Sequence, residues 1–264
     1  MIKRFIKLYP YKWFLNLRGY FIYFGQRIFF PKNSTTFLST LQSGIYESNV
    51  LALIVNNSTN NSYFFDIGTN IGTMSIPVLV GNSNIKVVSF EASPNTLPYL
   101  YRTHLHSTYK DRWTIIPKAV SNSIGIVNFT LADKKNGAFE SMADTKRVGM
   151  KSTVEIEATT IDITWKELGE PKVSVIKCDI EGADLLALQG AANCIESNRP
   201  LIIVEWNSLN VKAFSFQSQD LFDFLDQINY KIFSLPNVVP VASAAELDLQ
   251  KTFFEMYILK PNEL

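Results

Sequence analysis

The stretch Tyr63-Phe64-Phe65-Asp66-Ile67-Gly68-Thr69-Asn70-Ile71-Gly72 constrains this chain more than any other. Its apolar start reads as a short buried strand, and the glycines turn the chain sharply at the strand's end. A second apolar run, Val87-Val88-Ser89-Phe90, ends on Glu91. Strand, glycine loop, helix, strand and acid, in that order, form the layout of a mononucleotide-binding half of a doubly wound sheet. Glycine lets the backbone approach a ligand with no side chain in the way. A carboxylate at the end of the second strand can accept both hydroxyl hydrogens of a ribose.

The loop spacing separates two kinds of ligand. A dinucleotide fingerprint has three glycines and rests its pyrophosphate on a helix N-terminus. Here the order is Gly68-x-Asn70-x-Gly72, and Asp66 stands two residues before the first glycine. A carboxylate at that place repels a pyrophosphate and suits an ammonium group, such as the amino-acid end of S-adenosylmethionine. A nucleotide-sugar or NAD-dependent enzyme on a related sheet is therefore the weaker reading. A non-catalytic binding module that retains the fold is the other alternative.

Periodicity and turn residues give the order of elements. Residues 12–29 and 45–55 read as helices, followed by a polar turn cluster at 56–62. Strands are expected at 63–67, 86–91, 113–118, 173–178, 201–204, 230–234 and 253–259. Helices are expected at 72–80, 94–107, 162–168 (capped by Asp162), 183–196 and 217–228. Residues 124–131 and 153–160 alternate as an antiparallel pair around a loop, 132–152. This predicts an α/β fold with a mostly parallel sheet covered by helices on both faces, behind an N-terminal helical extension over 1–58. The main domain then runs over 59–264. Ligands of such sheets bind beyond the carboxyl ends of the strands. Asp66, Glu91, Asp179 and Glu205 each close an apolar run, so all four should point into one crevice, with Glu181 beside them.

Composition sets the wider limits. A hydrophobic content of 47% over 264 residues supports a large core. Two cysteines, Cys178 and Cys194, offer no metal or disulfide framework and read as buried, reduced thiols of a cytoplasmic protein. The net charge is +1, but Lys3, Arg4, Lys7, Lys12, Arg18, Arg27 and Lys32 all precede the first acid, Glu47. The remaining 18 basic and 24 acidic residues make the body acidic, which argues against nucleic acid as a partner. The basic segment is interleaved with aromatics and lacks both an apolar run of spanning length and a signal-peptide core. Two readings stand for residues 1–30: peripheral contact with the inner face of a membrane, or an amphipathic helix packed on the domain.

Several further motifs fall in a recognisable series. Asp66 to Gly72, Phe90-Glu91-Ala92-Ser93-Pro94, Lys118-Ala119-Val120-Ser121, Thr160-Ile161-Asp162, Ile176 to Asp184, Gln189-Gly190-Ala191 and Pro200 to Glu205 together resemble the FkbM family of S-adenosylmethionine-dependent methyltransferases. The resemblance covers about residues 60–206. It implies a class I (Rossmann-like) methyltransferase fold of seven strands, the last antiparallel, for which 253–259 is the candidate. It implies that Gly68, Asn70 and Gly72 line the methionine portion of the cofactor, that Asp66 organises that loop, and that Glu91, with Ala92 beside it, holds the ribose. Ala119, Val120 and Ser121 would lie where the adenine is held, and Asp179 would border the cofactor. The implied activity is O-methylation of a hydroxyl on a sugar, glycan or related natural product.

An oxygen nucleophile has to lose its proton, and a nearby carboxylate or histidine can take it. His104 and His106 fall on the helix after the second strand, away from the crevice. Asp179, Glu181 and Glu205 are then the candidate bases, since clustered carboxylates raise one another's pKa. Glu181 could instead cap the following helix, and Glu205 could pair with Lys177 or Arg199. A divalent metal on the same three acids is a further option, although strand-end acids alone do not define a metal site, and none is assigned. Loop 132–152 is the candidate lid over the acceptor.

Overall fold

The computed structural model describes residues 12–147 and 151–262. The basic residues Lys3, Arg4 and Lys7 therefore lie outside the described part. Helix α1 (12–18) stops at Gly19, which takes a left-handed φ of 77° while its N–H reaches the Leu15 carbonyl at 2.8 Å. A hairpin comes next, β1 (Tyr20–Tyr23) and β2 (Gln26–Phe29), closed by Phe24 and Gly25 at φ 47° and 78°. The long N-terminal helix expected over 12–29 is thus a short helix and a hairpin. Two glycines break the helix, and Tyr-Phe-Ile-Tyr alternates as a strand rather than recurring at helical spacing. Helices α2 (Thr35–Ser43) and α3 (Ser48–Asn57) complete this region.

The main domain alternates strand and helix. It runs β3 (Tyr63–Ile67), α4 (Ser75–Gly81), β4 (Lys86–Phe90), α5 (Leu97–Leu105) and β5 (Trp113–Ile116). Next come β6 (Ala119–Val120), β7 (Gly125–Leu131), β8 (Ser152–Thr159), α6 (Ile161–Glu167) and β9 (Val173–Cys178). The chain continues through α7 (Asp184–Gln189), α8 (Ala192–Asn198), β10 (Leu201–Glu205), α9 (Ser208–Ala213) and α10 (Ser218–Ile228). It finishes with β11 (Tyr230–Ser234), β12 (Val239–Pro240), α11 (Ala244–Gln250) and β13 (Met256–Pro261).

The large sheet has the order β12-β11-β13-β10-β9-β3-β4-β5. Strands β5, β4, β3, β9 and β10 are parallel, and β13 inserts antiparallel between β10 and β11. This is the expected seven-strand arrangement with an antiparallel last strand, extended at one edge by the two residues of β12. A separate sheet, β6-β8-β7, carries the expected antiparallel pair.

Strand alternation sorts the core into two layers. Phe64, Val87, Val175, Ile203 and Ile258 face one way and meet Ile54, Ile76, Leu79 and Leu100. Phe65, Val88, Ile176, Ile202 and Val204 face the other way and meet Trp165, Leu188, Ile195 and Leu221. Phe21, Phe30 and Phe37 belong to the first layer, so the hairpin and α2 share their core with the sheet.

Two local expectations need correcting. The cap of α6 is Thr160, whose hydroxyl accepts from Ile163 N at 3.1 Å. Asp162 instead accepts from the Asn193 and Cys194 N–H groups at 3.1 and 2.8 Å, at the start of α8. The single helix expected over 183–196 is split at Gly190, where a Cβ would sit 2.2 Å from the Ser121 carbonyl oxygen.

Phe37 tests the shared core. It is fully buried and stacks on Phe30 with ring centroids 3.8 Å apart. Phe37→Ala should cost about 3–5 kcal/mol and move a single unfolding transition in urea. A separate, earlier transition would show instead that the N-terminal elements fold apart from the sheet.

Candidate functional site

The glycine loop owes its shape to a buried polar network. Asp66 is fully buried, and its Oδ2 accepts from the Thr69 and Ser75 hydroxyls, each at 2.6 Å. Ser89 Oγ lies 3.1 Å from Thr69 Oγ1 and 2.7 Å from Ser75 Oγ, and accepts from Trp113 Nε1 at 2.8 Å. The second carboxylate oxygen, Oδ1, is buried without a partner among the described residues. Burial raises the Asp66 pKa, although Lys177 and the two hydroxyls oppose the shift.

Gly68 turns at φ 81°, and a Cβ there would lie 1.9 Å from the Asp179 carbonyl oxygen. Asn70, at φ 54°, donates its N–H to Glu91 Oε2 at 2.8 Å. Glu91 Oε1 accepts from Ser93 N, also at 2.8 Å. One acid therefore fixes both the glycine loop and the turn after β4.

Two joined cavities open over the carboxyl ends of the parallel strands. The first, about 500 Å³ including space open to solvent, is lined by Gly68, Phe90, Glu91, Ala92, Ala119 and Val120, among others. The second, about 930 Å³ including space open to solvent, is lined by Asp66, Glu47, Lys177, Arg147, Glu181 and Glu205, among others. Gly68, Asn70, Ala138, Asp179 and Glu181 border both. All four strand-end acids therefore reach one crevice.

Two of the expected lining residues sit behind the walls. Gly72 packs beneath Trp113, where a Cβ would come within 2.8 Å of the indole, so it gives the loop clearance rather than a ligand surface. Ser121 donates its N–H to the Thr159 carbonyl at 2.9 Å and abuts Gly190. His104 bonds the Trp113 carbonyl and His106 the Arg102 carbonyl, and neither lines the crevice.

Asp179, Glu181 and Glu205 bring a carboxylate oxygen each within 4.8 Å of one another. Positive charge comes from two side chains. Lys177 Nζ donates to Asp179 Oδ2 at 2.7 Å. Arg147, from the candidate lid, donates to Glu181 Oε2 at 2.8 Å and to Glu205 Oε1 at 3.3 Å, and lies 3.5 Å from Glu255. Asn210 Nδ2 donates to Glu181 Oε2 at 3.0 Å and to Glu205 Oε2 at 2.7 Å. Glu205 thus pairs with Arg147 rather than with Lys177 or Arg199, and Glu181 does not cap the helix after it.

Burial pushes Glu181 up to about 7 against the opposing charge of Arg147, and burial, then the neighbouring carboxylates, raise Glu205 well above its ordinary range. Around Lys177 the balance is reversed. Burial acts to lower its pKa, but Asp179, Glu47 and Asp66 together raise it, so the ammonium keeps its proton.

Arg147, Asn210, Glu47 and Glu140 carry no sequence signal that singles them out. Arg147 lies in an aperiodic loop, and Asn210 comes after the last matched motif. Glu47 is held at a left-handed φ of 41° before α3. Glu140 accepts from Asn95 Nδ2 at 2.7 Å, from Ala132 N at 2.9 Å and from the Ser93 hydroxyl, tying the lid to the turn after β4. Its place eight residues beyond Ala132 matches no motif.

Burial pushes Glu91 from 4.5 up to about 7, although the Ser93 and Asn70 N–H groups oppose it. The folded carboxyl then keeps a proton that the unfolded chain has released. Its stabilising contribution is complete below pH 4.5 and is lost as the pH rises through about 7. Urea midpoints measured across that window should fall with rising pH, and more shallowly for Glu91→Gln. Parallel profiles for the two proteins would contradict this assignment.

Known proteins match much of this chain. Residues 66–232 match the family model described as the methyltransferase FkbM domain. The hexuronic acid methyltransferase AglP of Haloferax volcanii is 26% identical over 160 residues, which span 60% of this chain and 61% of that protein. Among solved structures, the methyltransferase FkbM from Methylobacillus flagellatus aligns at 18% identity and a TM-score of 0.46, over 76% of this chain and 44% of that one. The Podospora anserina methyltransferase PaMTH1, bound to S-adenosylhomocysteine, aligns at 11% identity and a TM-score of 0.48, over 84% of this chain and 79% of that one. With its family model matched from the Asp66 loop through β11, this chain belongs to the FkbM methyltransferase family.

Proposed function

We propose that this protein transfers a methyl group from S-adenosylmethionine to a hydroxyl of a sugar, glycan or related natural product. The observation that carries the reading is the unpartnered Oδ1 of buried Asp66, beneath a cavity that continues to Glu91. An acceptor-only atom left without a donor in the interior is costly, and an ammonium group satisfies it. The relative named as a hexuronic acid methyltransferase supports a sugar as the acceptor class.

The residues fit such a donor. Glu91 has both oxygens fixed by backbone N–H groups and keeps lone pairs for a ribose diol. Ala92, Ala119, Val120 and Phe129 offer an apolar slot for an aromatic base. Gly68 and Asn70 border both cavities, where the amino-acid end would lie. Bound there, S-adenosylmethionine supplies a methyl group already activated on a sulfonium, so the protein's task is positioning and proton removal.

Glu181 is the base in this reading. Both of its hydrogen bonds land on Oε2, which leaves Oε1 for an acceptor hydroxyl. Its pKa near 7 matches the operating range of a general base. Asp179 and Glu205 complete the acidic wall. Glu205, whose pKa burial and the neighbouring carboxylates raise, accepts from Asn210 and Arg147 and positions both.

Calorimetric titration with S-adenosylhomocysteine should give saturable binding, with no heat from NAD in parallel. Binding of NAD alone would move the protein to the nucleotide-enzyme reading. With an acceptor in hand, kcat should rise as the pH passes about 7, because the base must be ionised. Glu181→Gln should lower kcat about 10²- to 10⁴-fold while leaving S-adenosylhomocysteine affinity close to the parent's. An unchanged kcat would exclude Glu181 as the base.

A further inference from the structure

Outside the crevice, the N-terminal elements present a surface that the methyl-transfer reading does not use. On α1, Leu15 turns into the core while Trp13 and Leu17 remain 69% and 67% exposed, with Phe14 beside them. On the hairpin, Phe21 and Tyr23 point inward, and Ile22 and Phe24 point outward, 55% and 42% exposed. A helix face turned to water ordinarily carries polar side chains. Here it carries three large apolar ones, next to a strand that exposes two more.

The polar component of this surface has one sign. Arg18 places its guanidinium 3.9 Å from the centre of the Tyr20 ring, and Arg27 lies 5.2 Å from the same ring. Lys12 and Lys32 belong to the same segment, and no carboxylate precedes Glu47. An apolar recess of about 550 Å³ opens among Leu15, Phe21, Ile22, Phe37 and Leu41. Phe37 and Leu41 belong to α2, whose Thr35, Thr36 and Ser39 line the larger of the two crevice cavities. The recess and that cavity therefore lie on two sides of one helix.

We propose that α1 and the β1–β2 hairpin dock this protein on the surface of an anionic lipid bilayer. Charge complementarity selects that occupant. A protein partner with a mixed surface would leave these cations partly unmatched, whereas a sheet of lipid phosphates meets all of them. Trp and Tyr settle at the headgroup level, with the apolar side chains below them and Arg and Lys against the phosphates. No helix among the described residues is long and apolar enough to cross a membrane, so the contact is peripheral. Docked in this way, α2 holds the larger cavity one helix away from the bilayer surface.

Sedimentation of the full chain with vesicles tests this. Vesicles of phosphatidylglycerol and phosphatidylcholine should carry the protein down, phosphatidylcholine alone should not, and added salt should release it. Replacing Trp13, Phe14 and Leu17 together with serine should lower partitioning at least about tenfold. Arg18→Gln and Arg27→Gln should each lower it about fivefold. All five side chains are solvent-exposed, and an unchanged thermal transition would show that each variant is folded. Failure of the parent chain to bind anionic vesicles would overturn the proposal, as would full binding by the triple variant. A concentration-dependent dimer that dissociates in the triple variant, without vesicle binding, would assign the surface to a second copy and overturn it as well. None of these readouts depends on methyl transfer, so the two proposals stand or fall separately.

Discussion

A buried carboxylate without a cation in hydrogen-bond contact anchors the structure. Two hydroxyls at 2.6 Å hold one oxygen of Asp66, and both hydroxyls lean on Ser89, which the Trp113 indole fixes in turn. Each group belongs to a different piece: β3, the glycine loop, the first residue of α4, β4 and β5. The network thus ties three adjacent parallel strands to the loop that crosses their ends. Such a network rigidifies when every member is satisfied and is costly when one is not. Asp66 borders the larger cavity, and its other oxygen is left without a partner among the described residues.

The rest of the site is a problem in like charges. Strand polarity brings Asp66, Glu91, Asp179 and Glu205 to one end of the sheet, and Glu181, Glu47 and Glu255 join them. Two cations hold the cluster together in different ways. Lys177 is built into β9 and permanently screens Asp179, Glu47 and Asp66. Arg147 arrives from a loop and bridges three glutamates. One source of screening is therefore part of the sheet, and the other is supplied by a loop.

Much of this is legible in the sequence, for identifiable reasons. Parallel strands buried on both faces are continuous apolar runs, so β3, β4, β9 and β10 stand out, and the acid that closes each run marks the crevice. The hairpin is hidden because its Tyr and Phe residues also suit one face of a helix; only Gly19 and Gly25 signal the break. Gly72 and Ser121 belong to matched motifs, yet their backbones serve packing against Trp113 and Gly190, which no local pattern reveals. Arg147 and Asn210 act through distances spanning 34 and 29 residues to Glu181, and such pairings exist only once the chain has folded. Asp162 reads as a cap for its own helix but caps another, because the helix already begins at Ile161 and Thr160 holds the capping position.

The close approach at Gly68 limits how such a fold can change. The glycine loop touches the Asp179 backbone so tightly that even a methyl group at Gly68 has no room. The two loops are therefore locked in register by main chain, and a side chain at Gly68 cannot be added without moving one of them. Other walls of the larger cavity come from outside the sheet: α2, the stretch around Glu47 and the loop carrying Ala138 to Arg147. A change in the shape of the larger cavity therefore has to come from these walls, because the contact between the two loops is fixed by main chain.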